Sequence, residues 1–146
     1  MQDFRKLTVW RKSHELVLLL YRATARASEM RYPGLVSQLR RSASSIPANI
    51  AEGRGRSGPR EFARFLQISL ASAHELHYHI LLASDLGLLS LGVYARLDAR
   101  TEEIKRMLTV LLRRVSEAAE RAPPRRARPR TSTVSAGARS TVNREL

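Results

Sequence analysis

Residues 38–53 read QLRRSASSIPANIAEG, and their spacing decides the fold. Wound on a helix at about 100° per residue, Leu35, Leu39, Ala43, Ile46 and Ile50 form one apolar face. Gln38, Arg41, Ser45, Asn49 and Glu52 form a second line, roughly a quarter to a third of a turn away. An ordinary surface helix scatters its polar groups. Amides, a hydroxyl, a guanidinium and a carboxylate held in register can tie neighbouring helices together, because buried polar groups must find partners. Pro47 lies inside this pattern, where it removes one backbone donor and predicts a kink.

The polar stripe has two readings. In one, Gln38, Arg41 and Asn49 contact nucleic acid. In the other they are hydrogen-bond partners within the bundle or between subunits, fixing register as lone buried polar residues do in coiled coils. A guanidinium beside an apolar stripe is costly to bury unpaired, which favours the structural reading. Glu52 is then a candidate partner for an arginine across an interface.

Over the whole chain, periodicity predicts four helices. The first runs from about Leu7 to Ala27, with Leu7, Trp10, His14, Val17 and Tyr21 on one stripe. The second starts near Leu35, after Pro33-Gly34, and ends at Gly53. A hinge follows in Gly53, Gly55, Ser57, Gly58 and Pro59, with Ser57 a candidate cap for the third helix. That helix carries Phe62, Phe65, Leu66, Ser69, Leu76, Ile80 and Leu86, and Gly87 is placed to end it. The fourth begins near Val93 and carries Tyr94, Leu97, Ile104, Met107, Leu108, Leu111 and Val115. Short connections make neighbours antiparallel. The expected fold is all-α: an antiparallel, up-down four-helix bundle over residues 1–120, with a kinked second helix. Residues 121–146 form a separate basic tail rich in Arg, Pro and Ser, expected to be disordered because it has almost nothing apolar to bury.

The run SQLRRSASSIPANIAEG resembles the signature of a four-helix-bundle family first noticed in intervening sequences of bacterial large-subunit rRNA genes. The same family includes accessory proteins that work with reverse transcriptase in diversity-generating retroelements. Phe4, Leu7, Val9, Trp10, Leu16 and Tyr21 fit its first helix. Glu61-Phe62, Phe65-Leu66, Glu75-Leu76 and Asp85-Leu86-Gly87 fit the third, and Met107-Leu108 with Leu111 the fourth. The resemblance covers most of the chain and stops before the tail. Ala71 stands where the family pattern has glycine, Ser42 where it has alanine, and Ser28-Glu29-Met30-Arg31 replaces a Phe-Pro step. The resemblance implies a homo-oligomer, a pentameric barrel, and a reverse transcriptase as a possible protein partner.

Charge and composition narrow the function. The chain carries a net charge of +13; residues 121–146 hold seven arginines and one acid, and residues 1–120 are themselves basic by +7. The absence of cysteine excludes disulfides, thiol catalysis and thiolate metal sites. The start MQDFRKL has no apolar signal core, and the aliphatic run at 16–20 is too short to cross a bilayer, so a cytoplasmic protein without membrane contact is expected.

Chemical motifs are sparse. His74 and His77 lie one turn apart and His79 is near, but no HExxH spacing or paired carboxylate motif completes a metal site, so no metal or other cofactor is expected. Ser42, Ser44 and Ser45 have no nucleophile elbow around them and serve better as small residues at close helix contacts. The glycines of the hinge lack the preceding strand and following lysine of a phosphate loop. The candidates for phosphate contact are arginines: Arg54, Arg56, Arg60 and Arg64 around the hinge, Arg40 beside the stripe, and Arg22 with Arg26 on the first helix. With few aromatics, base stacking on a platform is not expected. The expected function is a non-catalytic, basic, oligomeric adaptor for RNA or DNA. The alternative is a structural module whose basic face meets an acidic protein partner.

Overall fold

The computed structural model describes residues 3–25, 31–56 and 58–123. Four helices account for nearly all of it: α1 (Thr8–Thr24), α2 (Pro33–Gly55), α3 (Pro59–Asp85) and α4 (Leu91–Arg121), with a single 3-10 turn at Phe4–Lys6 before them. No strand occurs among the described residues. Each helix packs on the next, and α1 closes the ring against α4. The tail beyond Pro123 lies outside the described residues, and α4 itself ends one residue past the expected boundary at 120.

Cross-helix contacts fix the directions. Arg41 reaches Glu75, Ser45 reaches Ser72, and Ser69 donates to the Ile46 carbonyl, so α2 and α3 run antiparallel. Lys12 pairs with Glu103 and Glu15 with Arg100, which sets α1 against α4 in the same sense. The apolar stripe of α2 behaves as its spacing requires: Leu39, Ala43, Ile46 and Ile50 are fully buried and Leu35 is half-buried. They meet Leu16 and Leu20 of α1, Leu66, Leu76 and Ile80 of α3, and Leu97, Ile104 and Leu108 of α4 in one core.

Helix ends follow local chemistry. α2 starts at Pro33, two residues before Leu35, because a proline in the first turn forfeits no helical hydrogen bond. It continues through Pro47 to Gly55. The cap of α3 is Gly58, at a φ of 91° that side-chain-bearing residues rarely adopt; Ser57, the expected cap, lies outside the described residues. α3 ends as Gly87 predicts: at φ 72° its N–H donates to the Ser84 carbonyl and Leu88 N–H to the Ala83 carbonyl, a paired closure of the last turn. α4 starts at Leu91, capped by Ser90, whose hydroxyl accepts from Val93 N–H.

α1 corrects the sequence reading in two respects. It ends at Thr24, and the expected end at Ala27 lies outside the described residues. Its buried face is Val9, Ser13, Leu16, Leu20 and Thr24, whereas His14 and Tyr21 are exposed. Bulk misled the expectation. Ser13 and Thr24 enter the core because their hydroxyls donate to the Val9 and Leu20 carbonyls one turn back, at 2.7 and 2.8 Å. His14 instead stacks on Trp10 at the rim, ring centres 5.2 Å apart.

Two features shape the hinge end. At Gly53 a Cβ would lie 2.6 Å from Phe65 Cβ and 3.0 Å from the Phe62 ring, so α2 and α3 approach closely only because that position is bare. At 1.5 Å per residue, α1 spans about 25 Å and α4 about 46 Å. Given the Lys12–Glu103 register, α4 runs about four turns past the start of α1. Gly53→Ala is expected to destabilise the fold by about 1–3 kcal/mol through overpacking. That outweighs the gain of up to ~1 kcal/mol in helix propensity. Urea denaturation followed by circular dichroism measures it.

Candidate nucleic-acid interface

The candidate arginines divide between the two ends of the bundle. Arg22 is exposed in the last turn of α1. Arg40 is half-buried: its Nε donates to Thr24 Oγ1 at 3.0 Å and its guanidinium lies 4.7 Å from the Tyr21 ring centre. Arg26 lies outside the described residues. Arg40 and Arg54 are separated by about 21 Å along α2, so these residues do not form one patch with the hinge group.

At the hinge the arginines are held in the free chain, and aromatic rings hold them. Arg54 lies 5.4 Å from the Phe62 ring centre. Arg56 and Arg64 both lie over Phe65, at 5.6 and 4.4 Å. Each also has a carboxylate on its own helix: Arg56 with Glu52 at 2.6 Å, and Arg64 with Glu61 at 3.2 Å. Arg60 is exposed and lines a shallow cleft with Arg64, Gln67, Ser116 and Glu120. A flat, weakly hydrated guanidinium gains from an aromatic face, which explains the posture. Exposed ion pairs of this kind are worth about 0–1 kcal/mol, so a phosphate can replace the carboxylate at small cost.

The polar stripe lies along the outer seam of α2 and α3. Ser45 and Ser72 hydroxyls are 2.8 Å apart, and Asn49 Nδ2 donates to the Ser45 carbonyl and hydroxyl at 2.8 and 3.0 Å. Arg41, with a side chain 69% exposed, donates to Gln38 Oε1 at 2.9 Å and to Glu75 at 3.3 Å. Within this chain Glu52 takes Arg56, one turn along its own helix. Of the serines weighed as nucleophiles, Ser42 and Ser44 donate to carbonyls a turn back.

A polar cluster at the α3–α4 seam escaped the sequence reading. His77 Nε2 meets Asp98 at 2.8 Å, while its Nδ1 lies 3.1 Å from both Glu102 and Lys105. Lys105 in turn donates to Glu102 at 2.7 Å. The Glu102–Lys105 spacing was visible in the sequence; what it lacked was the register that sets His77 opposite. The two His77 nitrogens address separate carboxylates, His74 is exposed, and among the described residues His79 Nδ1 is buried without a hydrogen-bond partner. Among the described residues no group of three His, Cys, Asp or Glu is arranged to hold a metal. Arg114 was also missed: it sits on the part of α4 that outruns α1, beside Arg54 and Arg56.

The Lys105 hydrogen bond lowers the Glu102 pKa below the ordinary 4.5, against a smaller opposing effect of burial. The Lys12 hydrogen bond does the same for Glu103. A depressed carboxylate stabilises the fold above its unfolded pKa and loses that contribution as pH falls through its folded value. Stability is therefore expected to decline below about pH 4.5. The Glu102→Gln and Glu103→Gln double variant should be less stable near pH 7 and flatter in that acid limb, as thermal melts across pH 2–7 would read.

A ring of four antiparallel helices defines the class of small all-α helical-bundle proteins. Residues 5–110 match the family described as 23S rRNA-intervening sequence protein, and the chain belongs to that family. Among solved structures it resembles a protein of unknown function from the S23 ribosomal protein family of Bacteroides thetaiotaomicron VPI-5482. That likeness has 24% identity and a TM-score of 0.66, covers 72% of this chain and 98% of the other, and establishes a shared fold. No curated protein matches the chain.

Proposed function

We propose that this chain is a non-catalytic, basic adaptor that binds RNA or DNA through its folded body and acts as a homo-oligomer. The observation that carries the reading is the basic body, +7 over residues 1–120, with Arg54, Arg56, Arg60, Arg64 and Arg114 collected at the hinge end. Weakly paired arginines there are ready to exchange carboxylates for phosphates. The family description, with its reference to 23S rRNA intervening sequences, is consistent with a nucleic-acid setting. Self-association draws support from α3, where Ile68, Tyr78 and Leu81 are 38%, 61% and 45% exposed. A pentamer, and a reverse transcriptase as protein partner, follow from the family resemblance of the second helix. A cytoplasmic setting suits such an adaptor, and no described helix is long and apolar enough to cross a membrane.

Fluorescence anisotropy tests the reading, using single-stranded RNA and duplex DNA at several salt concentrations. The full chain is compared with one ending at Arg121, which keeps α4 whole and removes the basic tail. The shortened chain is expected to bind at micromolar concentration or tighter, with affinity falling steeply as salt rises. Replacing Arg56, Arg60 and Arg64 by alanine should weaken binding and flatten the salt slope by about one for each phosphate left unneutralised. No binding at low salt would overturn the reading and leave the protein-interaction module, with an acidic partner, as the better account.

A further inference from the structure

Where α4 outruns α1, the bundle lacks its fourth wall. A groove of about 760 Å³ opens there between the hinge and the last turns of α4. Its rim carries Arg54, Arg56 and Arg114, and its floor includes Phe62, Val115 and Ala118. Among the described residues no carboxylate lines it. Arg56 has Glu52 as its partner, but Arg54 and Arg114 enter no ion pair among the described residues.

Two further observations point to an anion. Arg54 Nε is shut off from solvent and has no hydrogen-bond partner among the described residues. A buried donor left unmade is costly and rare, and an anion that draws the guanidinium off the Phe62 ring into the groove would give it an acceptor. α3 also begins at the groove with no side-chain cap, so its positive end faces the same space. Arg114, Val115 and Ala118 lie past residue 110, where the family match ends.

We propose that this groove holds a single nucleotide, with its phosphate on Arg54 and Arg114 and its sugar and base on the floor of Phe62, Val115 and Ala118. The choice of ligand rests on the nucleic-acid reading above. A flat polyanion needs no apolar floor, whereas a groove of this size with a cationic rim suits an anion that has an apolar body. Phosphate oxygens match the planar guanidinium fork. The nucleotide is supplied either free or as the 5′ end of a strand.

The test is an NMR titration of the full chain, reading the Val115 methyl groups and the Arg54 Nε–H. Uridine 5′-monophosphate, a 5′-phosphorylated tetrauridylate, inorganic phosphate and uridine are the separate probes. Saturable shifts at both positions are expected with the monophosphate. Affinity should be at least about tenfold weaker for inorganic phosphate, and uridine should give no saturation. Tighter binding of the tetranucleotide assigns the site to a strand end, and tighter binding of the monophosphate to a free nucleotide; both support the groove. Arg114→Ala should weaken the monophosphate by about tenfold, the scale of one charge-assisted hydrogen bond. Gly55→Glu should do the same without disturbing packing, because a Cβ at Gly55 meets no atom within 4 Å.

Absent shifts, equal affinity for inorganic phosphate, or indifference to both substitutions would overturn the proposal. So would an acidic peptide that saturates the groove where the monophosphate does not. RNA binding by the chain with a silent groove overturns the groove alone. A groove that saturates with the monophosphate in a chain that ignores RNA supports the groove and sinks the adaptor reading.

Discussion

The close approach of α2 and α3 at Gly53 is the constraint on which the rest of the bundle depends. A bare position lets Phe62 and Phe65 lie against α2 with no Cβ between them. Once the backbones are that near, Ser69 reaches across to the Ile46 carbonyl at 2.9 Å and Ser45 meets Ser72 at 2.8 Å. Small polar side chains tie the inner part of the seam, and the longer Arg41–Glu75 pair bridges its exposed edge. The same proximity lets the hinge be short: Gly58, with its positive φ, turns the chain straight into α3. Ser69 donates to the carbonyl just before Pro47, so α3 supports α2 beside the position where its own hydrogen-bond ladder loses a donor.

The hydroxyls show how this core accepts polar residues. Ser13, Thr24, Ser42 and Thr101 are buried, and each donates to a carbonyl one turn back on its own helix. Self-satisfied hydroxyls occupy little volume and need no partner helix, so they behave as small core residues. The arginines follow the opposite logic. Too large and too strongly charged for the core, they lay their flat faces over Tyr21, Phe62 and Phe65 at its edge. In that posture a guanidinium stays at the edge of the core, and Arg56 and Arg64 also reach Glu52 and Glu61.

These two behaviours also explain what could be read from the sequence. The α2 face of Leu39, Ala43, Ile46 and Ile50 was legible because its apolar and polar lines do not mix. Gly87 was legible as a helix end because its αL turn is a local property. The buried face of α1 was misjudged: a self-satisfied serine at 13 looks like surface, and His14 beside Trp10 looks like core. At the candidate site, Glu52 was expected to meet an arginine across an interface, whereas within this chain it pairs with Arg56 one turn along, and Arg64 pairs with Glu61 at a spacing of three. What spacing could not convey is register between helices. His77 between Asp98 and Glu102, and Arg114 beside Arg54, depend on how α4 is set against its neighbours.

Unequal helix length then becomes a functional variable. A bundle whose four helices matched would bury the inner face of α4 along its whole length. Here α1 stops short, and the last turns of α4 face the hinge with Val115 and Ala118 uncovered by a fourth helix. Apolar surface left open in this way is ordinarily a liability. At this end it is ringed by guanidinium groups, whose mutual repulsion is relieved only in part by Glu52. A cationic rim also discourages a second copy of the same rim from docking face to face, which reserves the opening for a ligand of opposite charge. The stretch of α4 that builds this opening lies beyond the family match at residue 110, so the opening is set by helix length and not by the residues that define the bundle.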